Sequence, residues 1–195
     1  MGSSKLMLPW PLDEHEHQTV ADVVLKAWTT SQVDKVVIIV RGDDSPLVAA
    51  CARWPVDVVQ VVEPTRDMKA SIRVGLRHIE SCYRPTQQDW CFVAPADLPT
   101  LNKPLIDQLQ QSAHDPTKIV VPVFGDCGPG HPVLLPWKIA QSIHMLAEDQ
   151  GLDQLLRAHP QHHVALPANA RVKDVDTPAE YDAALAACRS NTHSS

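Results

Sequence analysis

The chain has 195 residues and a formal net charge of −6, with 44% hydrophobic and 21% charged residues. That length suits one domain with a full core, and the acid excess, without a basic stripe or run, gives no electrostatic footprint for nucleic acid. No apolar run nears the ~20 residues of a membrane span, and Met1-Gly2-Ser3-Ser4-Lys5 has no apolar signal core. The reading is therefore a soluble, cytoplasmic protein without a membrane or nucleic-acid partner. Five cysteines, with no Cys-x-x-Cys pair, suit a reducing compartment.

In chain order, Val36–Val40 is a β-branched run that predicts a strand, closed by Arg41-Gly42-Asp43-Asp44, and Pro46–Arg53 predicts a helix. Val56–Val62 predicts the second strand. Met68, Ile72, Leu76 and Ile79 then fall on one face of a helix over 68–81. Trp90–Ala96 is almost wholly apolar and shows no alternation, which predicts a strand buried on both faces. A helix over 104–113 follows, capped by Asn102. Ile119–Phe124 predicts a strand, and a Gly/Pro-rich loop at 125–132 leads into Val133-Leu134-Leu135. Helices are expected over 137–147 and 152–157, a last strand at 164–166 and a closing helix over 179–188.

Alternating strands and helices joined by short connections imply a largely parallel sheet covered by helices. The fold class expected is α/β, a three-layer α/β/α sandwich with a Rossmann-like, mostly parallel sheet. One domain is expected over 1–189, followed by a disordered tail at 190–195.

Asp97 stands at the carboxyl end of the Trp90–Ala96 run, where open α/β sheets place their ligands. It also suits a cap of the helix near Asn102 or a turn around Pro99. Asp174-Val175-Asp176-Thr177-Pro178 lies between the last predicted strand and helix. There Thr177 and Pro178 read as a helix start with a dipole-matched acid. The functional alternative has Asp97 and Asp176 meeting across the top of the sheet to hold one hard cation, with room for phosphate oxygens. Lys5 reads either as an exposed lysine or as one that reaches a phosphate. The histidine groups His15-Glu16-His17 and His159 with His162-His163 lack zinc spacing and read as solvated loop residues.

Taken together, Gly2-Ser3-Ser4-Lys5-Leu6-Met7-Leu8-Pro9, Asp67-Met68-Lys69-Ala70-Ser71-Ile72-Arg73, Ala96-Asp97-Leu98-Pro99, Gly130-His131-Pro132-Val133 and Asp174-Val175-Asp176-Thr177-Pro178 occur in one order along the chain. This ensemble resembles the nucleotidyltransferases of the molybdenum cofactor cytidylyltransferase type, the MobA-like NTP transferases. The resemblance implies a Rossmann-like sandwich and a reaction that joins a nucleoside monophosphate from an NTP, with CTP favoured, to a phosphorylated acceptor such as molybdopterin. It implies Mg2+ as cofactor. It further implies that Lys5 steadies the triphosphate and that Asp97 and Asp176 bind the metal, with Asp174 as a substitute. Ser71 and Arg73 would line the nucleotide and acceptor pocket, and Gly130 and His131 would form an acceptor-side loop.

The chain departs from that family in three respects. The family opens with an apolar strand and a glycine-rich loop, of which this chain carries only the final Met1-Gly2. Asp67 stands where the family has glycine, and Ala96-Asp97 replaces the commoner Gly-Asp. The expectation is that Val36–Val40 and Cys91–Pro95 present unpaired edges to each other. The functional alternative is a non-catalytic binding or regulatory relative.

Overall fold

Alternation along the strands sorts their side chains into two cores. The structure, a computed structural model, describes residues 5–10, 18–63, 65–172 and 174–192. Among them are strands β1 (Val37–Arg41), β2 (Asp57–Val61), β3 (Trp90–Val93), β4 (Ile119–Phe124), β5 (Val133–Pro136) and β6 (Gln161–Leu166). The helices are α1 (Val20–Thr30), α2 (Ser45–Cys51), α3 (Met68–Tyr83), α4 (Lys103–Gln111), α5 (Trp137–Gln141), α6 (Leu152–Ala158) and α7 (Pro178–Thr192). Successive residues of a strand face opposite sides of its sheet. Ile119 and Val121 of β4 accordingly join Val133 and Leu135 against Leu76, Trp137 and Leu155. Val120 and Phe124 join Leu134 on the other side, against Val24, Ile106 and Ala184. Helices α3, α5 and α6 thus cover one face and α1, α4 and α7 the other, which is the α/β/α sandwich expected.

The larger sheet has the order β3-β5-β4-β6. β4 and β6 run parallel from Ile119↔Gln161 to Phe124↔Leu166. β5 runs antiparallel to both β3 and β4. The connection over 125–132 is too short for a crossover, since a parallel return needs about a dozen residues or more, so the chain doubles back.

Strands β1 and β2 pair in parallel as a separate two-stranded sheet. Among the described residues β1 pairs only with β2, and β3 only with β5. The other edges of β1 and β3 line one cavity of about 550 Å3. Val37, Ile38 and Ile39, and likewise Trp90, Cys91 and Phe92, are half-buried in consequence, with the open edges that the sequence reading expects of these two runs.

Several boundaries differ from the sequence reading. Helix α1 is absent from that reading, because Val20, Val23 and Val24 are poor helix formers. It is nonetheless opened by a reciprocal capping box between Thr19 and Asp22. The helix expected over 137–147 stops at Gln141 and tightens into a 3-10 turn, Ser142–Met145. Strand β6 begins at Gln161, so His162 and His163 lie on a strand and not in a loop; their exposure fits an edge strand with polar outward positions. Helix α7 continues through Thr192, into the segment expected to be disordered. His15, His17 and residues 193–195 lie outside the described residues.

Candidate active site

Asp97 leaves the carboxyl end of β3 and is fixed by the turn after it. Leu98 and Leu101 are buried, and the Leu101 N–H donates to the Leu98 carbonyl at 2.9 Å. This turn holds the Asp97 carboxylate at the rim of the sheet, with its side chain 14% exposed. Asp176 is held in a similar way. Val175 beside it is buried, and Thr177 caps α7 in a reciprocal box. In that box the Thr177 N–H donates to Glu180 Oε2 at 2.8 Å, and the Glu180 N–H donates to Thr177 Oγ1 at 3.2 Å.

Lys5 joins the two acids. Its ammonium pairs with Asp97 and donates to Asp176 Oδ1 at 2.7 Å. A helix and a strand end 79 positions apart in sequence thus share one cation. Burial lowers the pKa of Lys5, but the bonds and charges of Asp176 and Asp97 outweigh it and hold the ammonium above its ordinary range. The segment carrying Lys5 is secured by residues that sequence reasoning did not single out. Trp10 is fully buried, and its ring meets Tyr181 of α7 edge-on at 5.4 Å, while the Tyr181 hydroxyl donates to the Pro9 carbonyl. The Val20 N–H of α1 donates to the Leu8 carbonyl at 3.0 Å. The apolar run Leu6-Met7-Leu8-Pro9-Trp10, ending just before the acidic and His-rich stretch from Asp13, was the available signal.

Gly130 and His131 reach the same rim through β5. Val93 lies opposite Val133, so the residues just before β5 sit beside those just after β3. A Cβ on Gly130 would fall 2.8 Å from Phe124 Cε2, so any other residue there must displace the buried ring. His131 is held below its ordinary pKa by burial, against the raising pull of Asp174 and Asp97. Its Nδ1 is buried without a hydrogen-bond partner among the described residues. At neutral pH it is an uncharged ring beside the acids. Asp174 is felt there by its charge, whereas the described contacts of Lys5 are with Asp97 and Asp176.

Ser71 and Arg73 both stand on α3. Ser71 Oγ lies 2.5 Å from Thr65 Oγ1 and borders the cavity between β1 and β3. The Arg73 guanidinium is engaged by protein carbonyls, donating to Ile143 at 3.1 Å, His144 at 3.2 Å and Leu146 at 2.6 Å. It closes the end of the 3-10 turn, which sequence spacing does not reveal. Lys69, also unforeseen, is buried and donates to the carbonyls of Ala147, Glu148 and Gln150 at 2.6, 2.8 and 2.7 Å.

Among the described residues no group of three or more His, Cys, Asp or Glu gathers as a metal cage. The rim instead offers two carboxylates and an ammonium, a set that suits a ligand bringing its own oxygen donors.

Comparison with known proteins agrees with this fold. The Mycobacterium tuberculosis protein Rv0371c, solved in complex with manganese, is 26% identical and superimposes with a TM-score of 0.76 over 95% of this chain and 93% of its own. A nucleotidyl transferase from Methanothermobacter thermautotroptrophicus, 16% identical, gives 0.77 over 96% of this chain and 86% of its own. A CMP:2-keto-3-deoxy-manno-octonic acid synthetase complexed with CTP, 13% identical, gives 0.66 over 97% of this chain and 95% of its own. No curated protein matches the sequence. The model of one family, however, spans residues 1–164, and by it the chain belongs to the MobA-like NTP transferase domain family.

Proposed function

We propose that this chain transfers CMP from CTP to a phosphorylated small-molecule acceptor of the molybdopterin kind, releases pyrophosphate, and does so with one divalent cation, Mg2+, on Asp97 and Asp176. The observation that carries the reading is the meeting of these two carboxylates on the ammonium of Lys5 at the rim of the sheet. A cation already stands between them, so their placement fits a hard ion that takes oxygen ligands. The manganese complex of the Mycobacterium tuberculosis protein supports a divalent metal.

Nucleotidyl transfer asks a protein mainly for alignment and charge neutralisation. A bound divalent ion would supply charge neutralisation on the phosphates. Lys5 then takes a second role, in which its ammonium, released from the acids, pairs with the pyrophosphate oxygens as negative charge gathers there. Asp97, kept nearly still by Leu98 and Leu101, orients the α-phosphate end, and Asp176 closes the other side. His131, uncharged, presents a ring nitrogen toward the acceptor side without adding a second cation. No covalent enzyme intermediate is needed, because the acceptor's phosphate oxygen serves as nucleophile.

The test is kinetic. Asp97→Asn and Asp176→Asn should each lower CTP-dependent pyrophosphate release by at least about a hundredfold while melting cooperatively, since the metal site supplies several kcal/mol at the transition state. Calorimetric titration with CTP and GTP in Mg2+ checks the base, and tighter GTP binding moves the reading to guanylyl transfer. Near-normal turnover of Asp97→Asn removes the metal assignment.

A further inference from the structure

A titratable cluster gathers away from Asp97. Asp57 opens β2, and Tyr83 closes α3 shortly before β3 opens at Trp90, so both stand at the amino ends of strands, whereas Asp97 leaves a carboxyl end. His78 and Cys82, one helical turn apart on α3, share one face of it. His78 Nε2 lies 2.6 Å from Asp57 Oδ2, and the Tyr83 hydroxyl donates to the same oxygen at 2.6 Å. At the other ring nitrogen, Cys82 Sγ lies 3.9 Å from His78 Nδ1.

The charges fix the direction of this chain of bonds. The bonds from Tyr83 and His78, with the charges of His78 and Lys35, outweigh burial and hold Asp57 below the usual carboxylate range. It is therefore ionised at neutral pH and accepts from both partners. The same bond keeps the Tyr83 hydroxyl protonated, pushed up to about 12. With Asp57 as acceptor the imidazole keeps its proton on Nε2, and the Nδ1 lone pair is left for the thiol. A thiol, a base and a carboxylate that orients the base are the parts of an activated nucleophile.

The surroundings decide what this thiol can attack. Cys82 is exposed and is not part of the cavity lining, which suits a small electrophile from solvent better than an acyl group that needs preorganised oxyanion donors. Disulfide exchange makes the smallest demand, an accessible sulfur that can approach an S–S bond. Other cysteines lack this setting. Burial pushes Cys51 up to about 11 and Cys188 upward as well, and Cys91 donates to the Phe92 carbonyl at 3.5 Å. Cys127 is exposed, but among the described residues no imidazole lies within hydrogen-bond reach of its sulfur.

We propose that Cys82 is a thiol-modification site, served by His78 as base and Asp57 as positioning residue, that exchanges with low-molecular-weight disulfides. His78 Nδ1 takes the thiol proton, and the Cys82 sulfur attacks one sulfur of the disulfide RSSR. The S–S bond of the reagent breaks, a Cys82–SR bond forms, and the departing thiolate takes the proton back from His78 and leaves as RSH. Cys82 is oxidised, the departing half is reduced, and the imidazole ends neutral.

The experiment treats the full chain with hydroxyethyl disulfide, an uncharged probe, at neutral pH and follows the modified fractions of Cys82 and Cys127 by peptide mass spectrometry after acid quenching. Cys127 serves as the exposed reference within the same molecule. Cys82 should react about tenfold faster than Cys127, below the full range for a positioned base because 3.9 Å is a long contact. His78→Gln should bring the ratio of the two rates to about one, and Asp57→Asn should lower it about threefold. A global loss of structure changes both rates, whereas loss of the base changes their ratio. Equal rates in the parent overturn the proposal, and so does a tenfold ratio that survives either substitution.

Discussion

If the ammonium of Lys5 and a divalent cation compete for Asp97 and Asp176, removing the ammonium must strengthen metal binding in the nucleotide-free protein. Lys5→Met keeps most of the side-chain stem and deletes the charge. Its partners differ in setting, with Asp97 14% and Asp176 62% exposed, and Lys5 itself is 42% exposed. Exposed ion pairs contribute roughly 0.2 to 1 kcal/mol each, and the more sheltered Asp97 pair belongs at the upper end. The sum is about 1.4 kcal/mol, or about tenfold in a binding constant. Lys5→Met should therefore bind Mn2+ about tenfold more tightly than the parent, as read from the free-Mn2+ paramagnetic signal during titration. Added salt should narrow the gap. With CTP present the order reverses, because the parent lysine then has phosphate oxygens to hold. Equal or weaker Mn2+ binding by nucleotide-free Lys5→Met refutes the competition.

Three further expectations concern the frame of the site. Lys69→Met leaves the carbonyls of Ala147, Glu148 and Gln150 without their donor and should lower stability by about 3 kcal/mol, measured by urea unfolding. Gly130→Ala drives a Cβ to 2.8 Å from the fully buried Phe124 ring and should cost about 1 to 3 kcal/mol in the same assay. Asp22 is pushed up by burial, yet its bonds from Thr19 and Trp54 and the charge of Arg53 outweigh that and hold it below the usual carboxylate range. Its contribution is thus present above the unfolded pKa of about 3.9 and is lost as pH falls through the lower folded value. The stability gap between the parent and Asp22→Asn should close on acidification from pH 6 to pH 3.

How much the chain discloses about itself depends on how local the cause is. Strand β4 was legible as a short unbroken apolar run, and α3 because its apolar residues recur every three or four positions. The direction of β5 was decided by the length of the 125–132 connection, a countable quantity that the repeating pattern of strands and helices outweighed. Helix α1 was hidden by its valines, although Thr19 and Asp22 are spaced as a capping box. In the site, Asp97 and Asp176 could be placed at element ends from sequence, but the link through Lys5 rests on Trp10 and Tyr181, and that pairing across most of the chain leaves no local signature. Arg73 and Lys69 were opaque for the same reason: their partners are backbone carbonyls some seventy to eighty positions away, and a carbonyl has no residue identity to read.

The antiparallel register between β3 and β5 has a consequence for how this chain tolerates change. Val93 opposite Val133, together with the Gly130 N–H donated to the Pro122 carbonyl at 3.0 Å, places His131 near Asp97, so the tip of the excursion at 126–127 does not enter the placement. Insertions at Asp126 or Cys127, both exposed, should leave the rim intact. A single residue added between Val93 and Asp97 should not be tolerated, because it carries the acid past its neighbours while the ladder stays where it is. The excursion can therefore vary in length without disturbing the position of the acids.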